Sequence, residues 1–230
     1  MVHKLLVIAT VFLGFSFWSK PLPRVFLIGD SISMHYTPYL KQYLSETVQL
    51  DRKGDDGEAG KNLDIPVGAN GGDSHRVLEY LQARFKDKDF KPDYLLLNCG
   101  LHDIKRDPAT GVPQIGENDY RRNLKEIFQI SKKKEIKPIW IRTTWVVDSI
   151  HNAKSKGFQR FDADVRRYNA IADSICNKND IPVIDLYHFS KQIGANQFID
   201  HVHFKEPARD LQAAYIAGHI ECIIQNKNNK

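Results

Sequence analysis

Cysteine is scarce in this chain: Cys99, Cys176 and Cys222 are the only three in 230 residues. An odd, widely spaced set excludes a complete disulfide framework, and no Cys/His cluster has zinc-site spacing. Cys99 falls at the end of an apolar run, and Cys176 and Cys222 fall on apolar helix faces, so all three are expected to be buried, inert thiols. Long apolar runs are missing after Trp18. Spanning a bilayer takes roughly 20 apolar residues in a row, so the body of the chain is expected to make no stable membrane insertion. Internal repeats and low-complexity linkers are absent too. Excess charge is modest, at +5 with a pI near 9.0, and the basic residues are dispersed. The one dense run, Lys132-Lys133-Lys134, suits the C-terminus of a helix, where cations complement the dipole. No aromatic or glycine pattern accompanies it, so no nucleic-acid partner is expected. The acidic cluster Asp55, Asp56 and Glu58 lacks the calcium-loop spacing and reads as a solvated loop.

The N-terminus carries the one apolar run of note. Lys4 precedes Leu5–Trp18, and Pro21 and Pro23 then break the pattern. A short positive region followed by such a run has the form of a signal peptide. No clean cleavage site precedes Lys20 and no lipoprotein cysteine follows, so an uncleaved N-terminal anchor is the alternative. Either reading places the body outside the cytoplasm, secreted or periplasmic. Residues 1–20 are thus set apart, and 21–230 are expected to form one domain, a length that supports a substantial core.

Within that domain, apolar runs alternate with helix-period segments. Strands are expected at Arg24–Ile28, Ile65–Gly68, Tyr94–Asn98, Pro138–Arg142 and Pro182–Asp185. The second strand has an alternative start near Val48, with Asp51–Leu63 as a loop. Helices are expected at Tyr36–Ser45, Asp73–Phe85, Asp119–Lys134, Asp162–Asn177 and Pro207–Gln225, and Asp148–Gly157 as a surface loop. Strands separated by helices of this length imply an α/β fold, a central, mostly parallel sheet between helical layers. Runs such as Tyr94-Leu95-Leu96-Leu97, apolar without alternation, suit a sheet buried on both faces. Ligands in such folds bind beyond the carboxyl ends of the strands. Ser31, Gly72, His102 and Thr144 all follow expected strands and would gather at that rim.

Ser31 follows Val25-Phe26-Leu27-Ile28 in the sequence Gly29-Asp30-Ser31-Ile32. Far downstream stands Asp200-His201-Val202-His203. A serine is a weak nucleophile until a histidine takes its proton, and a carboxylate fixes that histidine in the useful tautomer. Such triads are defined by roles rather than chain order. These segments therefore point to acyl transfer from an ester, with Ser31 as nucleophile. Ser31 as a helix cap is the plain alternative.

Four segments in order resemble the SGNH hydrolase superfamily, also called GDSL esterases, over about Arg24 to the C-terminus. They are Gly29-Asp30-Ser31-Ile32, Asn70-Gly71-Gly72-Asp73-Ser74, Asn98-Cys99-Gly100-Leu101-His102-Asp103 and Asp200-His201-Val202-His203. The resemblance implies a three-layer α/β/α sandwich of flavodoxin-like type. It implies Ser31, Asp200 and His203 as the triad, with Asp30 a turn residue. The N–H groups of Ser31 and Gly72 would serve the oxyanion hole, with Gly71 as the alternative to Gly72. The chain departs from the family at His102, where asparagine is usual. A histidine N–H can fill the donor role if its tautomer is held, and Asn98 is the other amide nearby. His201 has the wrong offset from Asp200 for the base and is assigned to the surface or to substrate contact. His35 and His75 follow motif blocks, and Tyr120 with Asn123 and Leu124 resembles a packing pattern.

No metal or organic cofactor is called for. The expected partner is a small ester or an acetylated carbohydrate, with short acyl groups, O-acetyl above all, as the target. Trp145, Phe158 and Phe161 are candidates for stacking on a sugar, with core packing as the equal alternative. The alternatives are a lipase, lysophospholipase or thioesterase of the same fold and, in a different class, a catalytically silent carbohydrate-binding protein.

Overall fold

The computed structural model describes residues 21–54, 57–155 and 157–228. The N-terminal run and the Asp55-Asp56 pair lie outside the described residues. Five parallel strands form one sheet: β1 (Arg24–Ile28), β2 (Gln49–Arg52), β3 (Tyr94–Leu97), β4 (Lys137–Ile141) and β5 (Val183–Ile184), in the order β2-β1-β3-β4-β5. The central strands carry continuous apolar runs because both faces are covered. Leu27, Ile28, Leu95, Leu96, Leu97, Ile139, Trp140 and Ile141 are all fully buried. Each such side chain contributes about 1.5–3 kcal/mol relative to exposure.

The helices are α1 (Ser31–Tyr43), α2 (Ser74–Arg84), α3 (Glu117–Lys133), α4 (Asp148–Lys154), α5 (Asp162–Lys178), α6 (Leu186–Ile193) and α7 (Glu206–Asn228). α1 packs on α7, which also meets α6, while α2, α3 and α5 pack side by side. Crossovers between parallel strands are right-handed. The β1-to-β2 connection runs one way along the sheet and the later ones run the other, so the two helical groups cover opposite faces. Strand order reverses between β1 and β3, and the crevice of a parallel sheet opens at such a point.

Three expectations are corrected. The second strand is Gln49–Arg52, near the alternative start, and not Ile65–Gly68. Gln49–Arg52 is an edge strand bonded to β1 alone, with alternating exposure that its polar sequence permits. Ile65 and Val67 are instead exposed, at 49% and 40%. Asp148–Lys154 is a helix rather than a loop, anchored by a buried His151. Cys222 is exposed, whereas Cys99 and Cys176 are buried as expected. The Lys132-Lys133-Lys134 run does end a helix, with Lys132 and Lys133 in the last turn of α3. Among the described residues no helix is long and apolar enough to cross a membrane.

Candidate active site

β1 ends in the buried crevice, and Ser31 is the first residue of α1. The first four N–H groups of a helix have no partner within it. Asp30 caps this one: its Oδ1 accepts from Ile32 N–H at 3.0 Å and from Ser33 N–H at 3.3 Å. Ser31 N–H is left over, beside its own hydroxyl. Asp30 is thus the cap and Ser31 the residue it presents. Burial raises the Asp30 pKa, against the lowering effect of those two backbone bonds.

The segment before α7 supplies the partner. Phe198 and Phe204 form an isolated antiparallel bridge with their rings 4.7 Å apart, and Ile199 N–H donates to His203 O at 2.9 Å. This closes a tight turn around Asp200 and His203. Asp200 Oδ1 accepts from Val202 N–H and His203 N–H, each at 2.8 Å. Its Oδ2 lies 2.7 Å from His203 Nδ1, and His203 Nε2 lies 2.8 Å from Ser31 Oγ. Burial tends to raise the Asp200 pKa. The bonds from the His203 ring and the two backbone N–H groups outweigh it and hold the carboxyl well below the usual range. An ionised Asp200 accepts from Nδ1–H, which leaves the Nε2 lone pair facing Ser31.

The block after β3 forms another wall. Gly100 has φ +147°, and a Cβ there would lie 2.3 Å from Thr143 Oγ1, so only glycine fits. His102 is 1% exposed and its Nδ1 has no protein partner. Burial, then the nearby Lys105 and Arg160 charges, push its pKa well below the ordinary histidine value. His102 is therefore a neutral imidazole with hydrogen-bonding capacity to spare. Asp103 accepts from Ser74 N–H at 2.9 Å and ties this block to the start of α2. Asn98 is committed elsewhere, since its Nδ2 donates to Ile141 O at 3.0 Å.

The glycine block departs from expectation. Gly72 has φ +73°, and a Cβ there would sit 2.6 Å from Pro66 Cβ. Glycine is required, but its N–H is not a free donor: it donates to Asn70 Oδ1 at 3.0 Å. The Gly71 N–H donates to Gly29 O at 2.8 Å. An Asx-type turn thus occupies the amide that the sequence assigned to an oxyanion.

One neighbour of the triad, Asp64, escaped sequence reasoning. His201 Nε2 lies 3.1 Å from Asp64 Oδ1, and its ring centroid is 5.7 Å from that of His203. Asp64 is thus tied to the Asp200 turn; burial tends to raise its pKa, but the His201 bond and the His201, Arg160 and Lys105 charges together lower it to about 2. His35, one turn along α1 from Ser31, lies edge-on to His203 at 5.3 Å. Phe158 meets Lys105 Nζ at 4.4 Å and the Arg160 guanidinium at 4.7 Å from its ring centre. It is half-buried and belongs to a protein contact network. Phe161 is the residue before α5, and Trp145 packs on Phe198 at 5.6 Å. No spacing rule pairs Asp64 with His201, so no local signal could have found that contact. A cleft of about 630 Å³ lies by Lys137, Pro138 and Pro182, at the opposite ends of the strands from Ser31.

A model of the GDSL-like lipase/acylhydrolase family matches residues 25–216. No curated protein matches by sequence. Among solved structures, a lipase/acylhydrolase from Enterococcus faecalis aligns at TM-score 0.64 and 19% identity, covering 87% of this chain and 96% of that one. The acetyl xylan esterase AlAXEase aligns at TM-score 0.60 and 17% identity, covering 85% and 98%. Axe2, an acetylxylan esterase from Geobacillus stearothermophilus, aligns at TM-score 0.61 and 14% identity, covering 87% and 95%. At these identities the likeness is one of fold.

Proposed function

Since the chain belongs to the GDSL-like lipase/acylhydrolase family and is a carboxylic ester hydrolase, we propose that Ser31, His203 and Asp200 carry its reaction. The observation that carries this is the unbroken hydrogen-bond chain from Ser31 Oγ through both ring nitrogens of His203 to Asp200. Ser31 Oγ attacks the ester carbonyl carbon while His203 Nε2 takes its proton. Asp200 stabilises the imidazolium without taking a proton itself. The negative charge on the carbonyl oxygen is met by Ser31 N–H and an N–H of His102. His203 then protonates the leaving alcohol. Water, activated by the same base, releases the acid from the acyl-enzyme. Gly72 N–H joins the oxyanion hole only by sharing or releasing its bond to Asn70.

The substrate we propose is a short acyl ester, an O-acetyl group on a carbohydrate. The rings beside His203 are polar, those of His35 and His201, and offer little aliphatic wall to a long chain. Two structures of this fold are acetylxylan esterases. The N-terminal run Leu5–Trp18 favours a secreted or periplasmic enzyme, where such glycans are met. A longer acyl chain is the second reading. Ile65, Val67 and Ile199 favour it, because they are exposed on the two segments that Asp64 and His201 tie together. Acetate release across a panel of acetylated glycans tests the first reading. Release from at least one, faster than butyrate from its butyrylated counterpart, is expected. Release from none would overturn it.

A further inference from the structure

Arg160 is 2% exposed, yet among the described residues it forms no ion pair with any carboxylate. Burying an unpaired charge is costly, so its remaining contacts are informative. Arg160 Nε–H donates to Leu101 O at 2.7 Å. Nη1–H donates to His151 Nε2 at 3.0 Å. An accepting Nε2 requires a neutral ring protonated on Nδ1, and that nitrogen lies 3.1 Å from Asn152 Oδ1. Burial, then the Arg160 charge, lowers the His151 pKa to about 4, in keeping with that neutral state. Asn152 closes the unit by bonding Arg160 backbone at both N and O, each at 3.1 Å. A buried strut therefore runs from α4 through Arg160 to the carbonyl of Leu101.

That carbonyl matters because of its neighbours. The peptide unit is planar, so fixing Leu101 O also fixes the orientation of His102 N–H and Cα. Gly100, just upstream, is a residue type with little backbone preference of its own. His102 has no protein hydrogen bond on Nδ1 to hold its ring. On its other side Asp103 is anchored to Ser74. Upstream, Cys99 O accepts from Thr143 Oγ1–H and Gly100 O from Ile104 N–H, each at 3.0 Å, so Arg160 is the side-chain anchor of the Leu101 carbonyl itself, the one next to His102.

We propose that Arg160, backed by His151, is a positioning residue for acyl transfer, which acts by fixing the Leu101–His102 segment so that His102 faces the developing oxyanion. The proposal rests on the oxyanion role given to His102 above. The positive charge also disfavours protonation of His102, after burial as the larger cause.

The test is steady-state hydrolysis of nitrophenyl acetate by Arg160→Met, Arg160→Lys, His102→Ala and the Arg160→Met/His102→Ala double variant, beside wild type. A misplaced catalytic group can cost about a hundredfold. Arg160→Met should lose about that in kcat, with KM within about threefold of wild type. Arg160→Lys should recover only part, because an ammonium lacks the planar fork that reaches Leu101 and His151 together. The double variant should fall no more than about threefold below His102→Ala, since both act on one donor. If Arg160→Met does not fold, His151→Leu takes its place: it removes the backing alone, and its loss should likewise vanish in the His102→Ala background. A folded Arg160→Met with near-wild-type kcat, or losses that multiply in the double variant, would overturn the proposal. Labelling of wild-type Ser31 by a fluorophosphonate separates the two failures. Labelled Ser31 with either overturning result rejects only the strut, whereas unlabelled Ser31 in an active enzyme rejects the triad and the strut with it.

Discussion

Ser31 Oγ and His203 Nε2 stand 2.8 Å apart although 172 residues separate them in the chain. Two short turns make that contact: the Asp30-capped start of α1 and the Phe198–Phe204 turn. Both residues are nearly fully buried. The dyad is thus set before substrate arrives, which favours a preorganised acyl-transfer site.

Asp200→Asn should lower turnover by about ten-thousandfold while leaving the fold intact, because an amide at that position permits the wrong tautomer of His203. Nitrophenyl acetate kinetics with a circular dichroism melt checks this. A loss of under tenfold would mean that Asp200 does not orient the base.

His102→Ala should reduce kcat by about a hundred- to a thousandfold with little change in KM, as expected of a donor used where charge develops. His102→Asn should regain part of the loss. Equal kcat in wild type and His102→Ala would leave Ser31 N–H, with or without Gly72 N–H, as the hole.

Asp103 gives a pH-dependent stability. Burial raises its pKa from 3.8 to about 7, beyond the lowering effect of its bonds to Ser74. A raised folded pKa means that the protonated form is favoured by folding. Its stabilisation is complete below about pH 3.8 and is lost as pH rises through about 7. Asp103→Asn cannot ionise, so the Tm of wild type relative to this variant should fall between pH 5 and pH 8. Parallel Tm curves across that range would show that Asp103 stays in one protonation state.

The acyl pocket is read out by a chain-length series of nitrophenyl esters. An acetyl or propionyl optimum is expected. Each added methylene that finds no apolar contact forgoes about 0.8 kcal/mol of burial. An optimum at eight carbons or more would promote the reading that Ile65, Val67 and Ile199 support.

What could be read from the sequence was whatever a local pattern encodes. Continuous apolar runs announced β1, β3 and β4, and helix periodicity announced α2, α3, α5 and α7. Ser31, Asp200 and His203 were legible because their blocks carry local chemistry, and the structure brings the three together. The edge strand Gln49–Arg52 was harder to read, since a half-exposed strand needs no apolar run, whereas the apolar Ile65–Val67 stretch is a turn on the surface. α4 reads as loop because its order comes from tertiary contact of His151 with Arg160. Gly72 was legible as an oxyanion-donor candidate, but only three dimensions show Asn70 holding its N–H.

The most direct test of the account is mass spectrometry of the enzyme after reaction with a fluorophosphonate. The triad predicts one adduct, on Ser31, formed far more slowly in His203→Ala and absent from Ser31→Ala, whose esterase turnover should fall by about a millionfold. An active wild-type enzyme that gains its adduct on another residue, or a Ser31→Ala variant that keeps its turnover, would contradict it.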